Sequence, residues 1–148
     1  MISLHDKGNV HGGGIKEKKI PINNYVVEFT YIRGHIDIND IANMYKNDFY
    51  TILRKNITII EEGEIKYDIW FEFKTKNEAI NFISYCKTDF ARMCLALGKQ
   101  SPTTNLELRS IPWMDFKQTW TDEKLYKHFN ITQQEQDFIK EVIPKYYD

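Results

Sequence analysis

Residues 65–97 read IKYDIWFEFKTKNEAINFISYCKTDFARMCLAL. Up to Phe73 the pattern alternates. Ile65, Tyr67, Ile69, Phe71 and Phe73 fall on one face, and Lys66, Asp68, Trp70 and Glu72 on the other. Period two with β-branched and aromatic residues predicts a strand over 65–73. At Thr75 the period changes. Thr75-x-x-Glu78 is a capping box, and Ala79, Phe82, Ile83, Cys86, Phe90, Met93 and Leu97 then recur at spacings of three and four. This predicts one long helix from residue 76 to about 97, stopped by Gly98 and by Ser101-Pro102.

Upstream, YVVEFTYI at 25–32 reads as a strand closed by Arg33-Gly34. Ile38, Ile41, Ala42, Tyr45, Phe49 and Ile52 give a helical stripe over 37–53. Residues 57–60 form a short strand, and Glu61-Glu62-Gly63-Glu64 a hairpin turn in which glycine supplies the positive backbone angle. Downstream, 106–109 reads as a last strand. Thr121 caps a helix with Asp122 and Glu123 in its first turn, and Asn130 suits its left-handed stop. Thr132-x-x-Glu135 opens a second helix whose apolar face is Phe138, Ile139, Val142 and Ile143, and Pro144 ends it.

Strand, helix, strand, strand, helix, strand is the split βαβ, ferredoxin-like order. The predicted class is therefore α+β, with a C-terminal two-helix tail. Both main helices would lie on one sheet face, the other being open or covered by the tail. Interior candidates are Val27, Phe29, Ile69, Phe71, Phe82, Ile83, Cys86, Phe90 and Leu97. Residues 1–20, with Gly8, Gly12, Gly13 and Gly14 among Lys7, Lys16, Lys18 and Lys19, read as a flexible basic lead-in. Residues 21–148 read as one domain.

With 148 residues and 42% apolar content the chain can bury a core. Its net charge of −1 gives no global nucleic-acid signal. No apolar run reaches the length of a membrane span, and no signal peptide opens the chain, so a cytoplasmic location is expected, with no membrane partner. Cys86 and Cys94 would lie about 12 Å apart along one helix at about 1.5 Å per residue, too far to bridge. They read as free thiols.

Several residues fall in a recurring order. Tyr85, Lys87, Thr88, Phe90 and Arg92 spell Tyr-x-Lys-Thr-x-Phe-x-Arg. Pro112-Trp113-Met114-Asp115-Phe116 follows, then Trp120-Thr121-Asp122-Glu123-Lys124-Leu125-Tyr126, then Glu135-x-x-Phe138-Ile139. This series resembles the C-terminal end of large adenine-specific DNA methyltransferases of type II restriction–modification systems, some of which are also restriction endonucleases. It spans roughly residues 70–143. The family's Asn-Pro-Pro-Tyr-type catalytic motif has no counterpart here. The resemblance thus implies a C-terminal, non-catalytic domain concerned with DNA binding or target recognition. Double-stranded DNA is the implied partner, beside a catalytic methyltransferase or endonuclease region in the same or a partner chain. S-adenosylmethionine and Mg²⁺ would belong to that region, and no cofactor to this chain.

The contact candidates for DNA are Lys87, Thr88, Arg92, Lys99 and Gln100. Over 76–110 five cations (Lys76, Lys87, Arg92, Lys99, Arg109) face three anions (Glu78, Asp89, Glu107). Lysine and arginine position phosphates, and glutamine can read a base edge. No catalytic constellation is expected. His5, His11, His35 and His128 are scattered, and Glu64-x-Lys66 reads as a solvated turn rather than a metal-nuclease pair. Trp113, Phe116 and Trp120 read as anchors that clamp the tail. The stretch 67–79 is also similar to the third strand and second helix of RNA-recognition motifs, without their glycines. A single-strand binder and a protein-interaction scaffold are the alternative functions.

Overall fold

The computed structural model describes residues 1–10, 24–29, 57–63, 65, 69–98 and 108–143. Strands β1 (Asn9–Val10), β2 (Tyr25–Phe29), β3 (Ile57–Ile60) and β4 (Ile69–Phe73) form one antiparallel sheet in the order β1-β4-β2-β3. The helices are α1 (Leu4–Lys7), α2 (Lys76–Cys86), α3 (Asp89–Gly98), α4 (Asp122–His128) and α5 (Gln133–Val142), with a 3₁₀ turn at Leu108–Ser110. The class is α+β.

The alternation of β2 and β4 sorts the sheet into two faces. Val27 pairs with Phe71 and Phe29 with Ile69, and these four share the main core with Phe73, Phe82, Tyr85 and Cys86. On the opposite face Val26, Ile65 and Trp70 form a smaller cluster with Ile60 against it. Both faces are therefore apolar, which suits β2 to a central position.

The strand order departs from the ferredoxin-like arrangement. β2 lies between β3 and β4 and runs antiparallel to both. β3 and β4 are therefore parallel and unpaired, and 61–64 is not a tight hairpin. Gly63 does adopt a positive φ of 99°. β4 runs from Ile69 to Phe73, and Ile60 and Ile69 lie at opposite ends of β2, so the chain between them must cross β2 and return along it, about 10 Å each way. Ile65 consequently joins Trp70 rather than Phe71. The predicted fourth strand is replaced at Leu108–Ser110 by the 3₁₀ turn. The predicted helix over 37–53, residues 64 and 66–68, and residues 106–107 lie outside the described residues.

The first ten residues are part of the fold rather than a flexible lead-in. Ser3 and Asp6 make a capping box around α1. Leu4 is fully buried. The Leu4 N–H donates to Ile111 O at 2.8 Å, and the Trp113 N–H to Ile2 O at 2.8 Å. β1 then covers the outer edge of β4. The second half of that lead-in, 11–20, lies outside the described residues.

The long helix is two helices, broken at Lys87-Thr88. The Thr88 hydroxyl donates to Tyr85 O at 2.6 Å and accepts from the Ala91 N–H at 3.1 Å. A threonine that bonds its neighbouring backbone this way starts a new helix instead of continuing the old one. The break turns the apolar stripe. Ala91, Arg92, Met93 and Leu95 are buried after it, whereas Leu97, expected inside, is 74% exposed.

The tail follows its expected capping. Thr121 caps α4, and Thr132 and Glu135 make the capping box of α5. Asn130 takes φ 53°. Its N–H bonds Lys127 O at 3.3 Å, and the Ile131 N–H bonds Tyr126 O at 2.8 Å. These two bonds are a Schellman ending. The tail packs on the same sheet face as α2, not across the other face, because Trp113 lies on Phe71, Phe73 and Phe82.

Candidate functional site

Tyr85, Pro112, Trp113 and Phe116 meet in space. Trp113 stacks parallel to Phe73, centroids 5.9 Å apart, and meets Phe116 edge-on at 4.8 Å. Phe116 and Trp120 are buried. The Trp120 indole N–H donates to Asp115 O at 2.9 Å, and the Asn81 amide to Phe116 O at 2.9 Å. The three aromatics thus act as anchors. The Tyr85 hydroxyl, in the core, donates to Pro112 O at 2.6 Å. Burial holds its phenol far above the usual tyrosine range.

Asp122, on the first turn of α4, reaches across to the start of α3. Its carboxylate accepts the Asp89 N–H at 3.1 Å and the Phe90 N–H at 2.9 Å. These are orphan donors of a helix start, where the dipole favours an anion. Phe90 stacks on Phe129 at 4.9 Å. Burial, and then the neighbouring Asp122 carboxylate, raise the Asp89 carboxyl above its usual value, while Arg92 opposes the shift.

Three of the five DNA-contact candidates, Lys87, Thr88 and Arg92, lie among the described residues. Arg92 is completely buried, with Nη1 3.5 Å from Asp89 Oδ1. Thr88 is 9% exposed and occupied in capping. Lys87 is partly exposed at the break between α2 and α3. Lys99 and Gln100 lie outside the described residues. A buried guanidinium does not meet a backbone phosphate, so Arg92 belongs to the packing in this conformation.

Trp70 is 6% exposed, so the open-face aromatic that an RNA-recognition motif would use for stacking is not on offer. Among the described residues no group of three His, Cys, Asp or Glu side chains is placed to hold a metal ion. Among them, too, no helix is long and apolar enough to cross a membrane. Burial raises the thiols of Cys86 and Cys94, the latter up to about 12, so both stay protonated.

A concave surface adjoins the Asp122–Phe90 contact. A groove of about 460 Å³ runs between α3 and α5, floored by Phe90, Met93 and Cys94 and walled by Ile131, Glu135 and Ile139. Leu97 and Phe138 rim it, 74% and 55% exposed. Phe138 was expected on the buried face of α5. The cross-helix role of Asp122 had no signal in the sequence, since an acid in a first turn is common.

No family model matches this chain, and no curated protein and no solved structure matches it either.

Proposed function

We propose that this chain is a non-catalytic DNA-binding domain of an adenine-specific restriction–modification protein. It would act beside a methyltransferase or endonuclease region carried in the same or a partner chain. One observation supports this reading. Several residues of the resemblance pack on one another: Tyr85 on Pro112, Thr88 and Asp122 at the start of α3, and Trp113 on Phe73. Residues that specify a fold are what relatives of a domain share, and mutual packing of these residues is what the resemblance requires. On this reading S-adenosylmethionine and Mg²⁺ serve the catalytic region alone.

Contact with phosphate then rests on surface cations such as Lys87, and Arg92 acts through folding. Fluorescence anisotropy of the full chain against duplex DNA at two salt concentrations tests the proposal, with single-stranded RNA in parallel. Sequence-independent duplex affinity on the order of 10⁻⁶–10⁻⁴ M, falling with salt, is expected. Lys87→Ala should reduce the salt slope by about one. Duplex binding absent at low salt, or RNA bound more tightly than duplex, overturns it.

A further inference from the structure

The groove between α3 and α5 is apolar within and acidic along the α5 rim. On α3, Phe90, Met93, Cys94 and Leu97 follow the spacing of one helix face over two turns. An open groove between two helices with this lining fits the side chains of a third helix at successive turns. Leu97 and Phe138 stand exposed at its lips, an arrangement that costs solvation unless something covers it.

The charges around Phe138 decide what covers it. Glu135, which lines the groove, lies one turn before Phe138 and Glu141 one turn after, about 60° to either side of it on α5. Glu135 is held ionised, because its Oε1 accepts the Thr132 N–H at 2.9 Å and this lowers its carboxyl below the usual range. Across Gln133–Val142 three acids stand against one lysine. A second copy of the chain is therefore a poor occupant. In a two-fold antiparallel contact about Phe138, Glu135 of each copy would face Glu141 of the other, acid on acid. A helix with an apolar stripe and basic flanks would meet Leu97 and Phe138 with its stripe and the two glutamates with its cations.

We propose that the groove between α3 and α5 seats an amphipathic, basic-flanked helix of a partner protein, whether or not the chain also meets DNA.

Two synthetic helices of about four turns probe this. Both carry the same leucine stripe, one flanked by lysines and the other by glutamates. Titrated against the full chain, the lysine peptide should bind at least about tenfold more tightly than the glutamate peptide. Leu97→Glu and Phe138→Glu, at exposed positions, should each weaken it about tenfold or more while leaving the melting temperature unchanged. Glu135→Gln with Glu141→Gln should narrow the difference between the peptides, since glutamine still serves the capping box. Equal affinity for the two peptides, no binding of either, or full binding by Phe138→Glu overturns the proposal. So does a concentration-dependent dimer in sedimentation that Phe138→Glu abolishes, because the groove then belongs to a second copy.

Discussion

The carboxylate of Asp122 accepts the backbone N–H of Phe90 at 2.9 Å, with the Asp89 N–H on its other oxygen at 3.1 Å. A side chain that opens α4 therefore also caps α3, thirty-odd residues earlier in the chain. Thr88 takes the next N–H, that of Ala91. The helix start at Asp89 is thus satisfied partly from within and partly by the tail, and neither part folds well without the other.

Asp122→Ala removes two charge-assisted bonds and leaves two half-buried donors unpaired. A loss of about 1–2 kcal/mol is expected, read as a lower urea midpoint at unchanged slope. Asp122→Asn keeps one acceptor oxygen and should fall between wild type and Ala. If both variants unfold like wild type, the link between α3 and α4 contributes nothing.

Trp113 touches Phe71, Phe73, Phe82 and Phe116. Trp113→Ala should cost about 3–5 kcal/mol, a large share of a domain's stability. Tyr85→Phe is a finer probe of the same contact. It removes only the hydroxyl and strands the Pro112 carbonyl, for about 1–3 kcal/mol. Denaturant melts of both variants check the two values. A Tyr85→Phe variant as stable as wild type would show that this carbonyl finds another donor.

Gly8 lies against the ring of Phe71, and a methyl group there would overlap it. Phe71 is 1% exposed and packed by other rings, so it cannot swing aside. Gly8→Ala should destabilise by about 1–3 kcal/mol through overpacking. Lys7→Ala, one residue away and exposed, should stay within about 0.5 kcal/mol. Equal thermal melts for the two would mean that the N-terminal segment is not docked on β4 in solution.

What the sequence made legible was local. The caps at Thr75, Thr121 and Thr132 and the left-handed stop at Asn130 lie where the residue chemistry puts them, because each depends on a few adjacent groups. The anchoring of Trp113, Phe116 and Trp120 was readable from their bulk. Strand order was not, because pairing depends on which strand has two apolar faces. The burial of Trp70 beside Val26 shows that β4 and β2 both do. The Thr88 break was present as Thr-Asp, but the apolar stripe runs through it, and half of the capping that marks the new start comes from distant Asp122. Ser3-Leu-His-Asp6 is also a capping pattern, hidden by the glycines and lysines that follow it. The burial of Arg92 was hidden for the same reason as the helix break. Once the axis turns at Lys87, a position that seemed to face outward faces the core.

Glu135 offers a test in pH. Its Oε1 accepts the Thr132 N–H at 2.9 Å, and its own N–H donates to the Thr132 hydroxyl at 3.1 Å. The Thr132 backbone bond, and then its side chain, hold the Glu135 carboxyl below its ordinary value in the folded chain. The unfolded chain has no such partner and titrates near about 4.3. Between these values the unfolded state binds the proton and the folded state does not, so stability rises with pH there. The contribution is complete above the unfolded value and is lost as pH falls through the folded one. Glu135→Gln keeps a neutral acceptor for the Thr132 N–H but not the charge. Its melting temperature should lie below that of wild type from pH 7 down to about 5, and the gap should close as pH falls below about 4.3 and through the lower folded value, where wild type itself becomes protonated. Asp6 carries the same device against Ser3 and is lowered in the same sense, so both proteins should still lose stability in acid. A gap that stays constant down to pH 2 would mean that the Glu135 charge plays no part in holding α5.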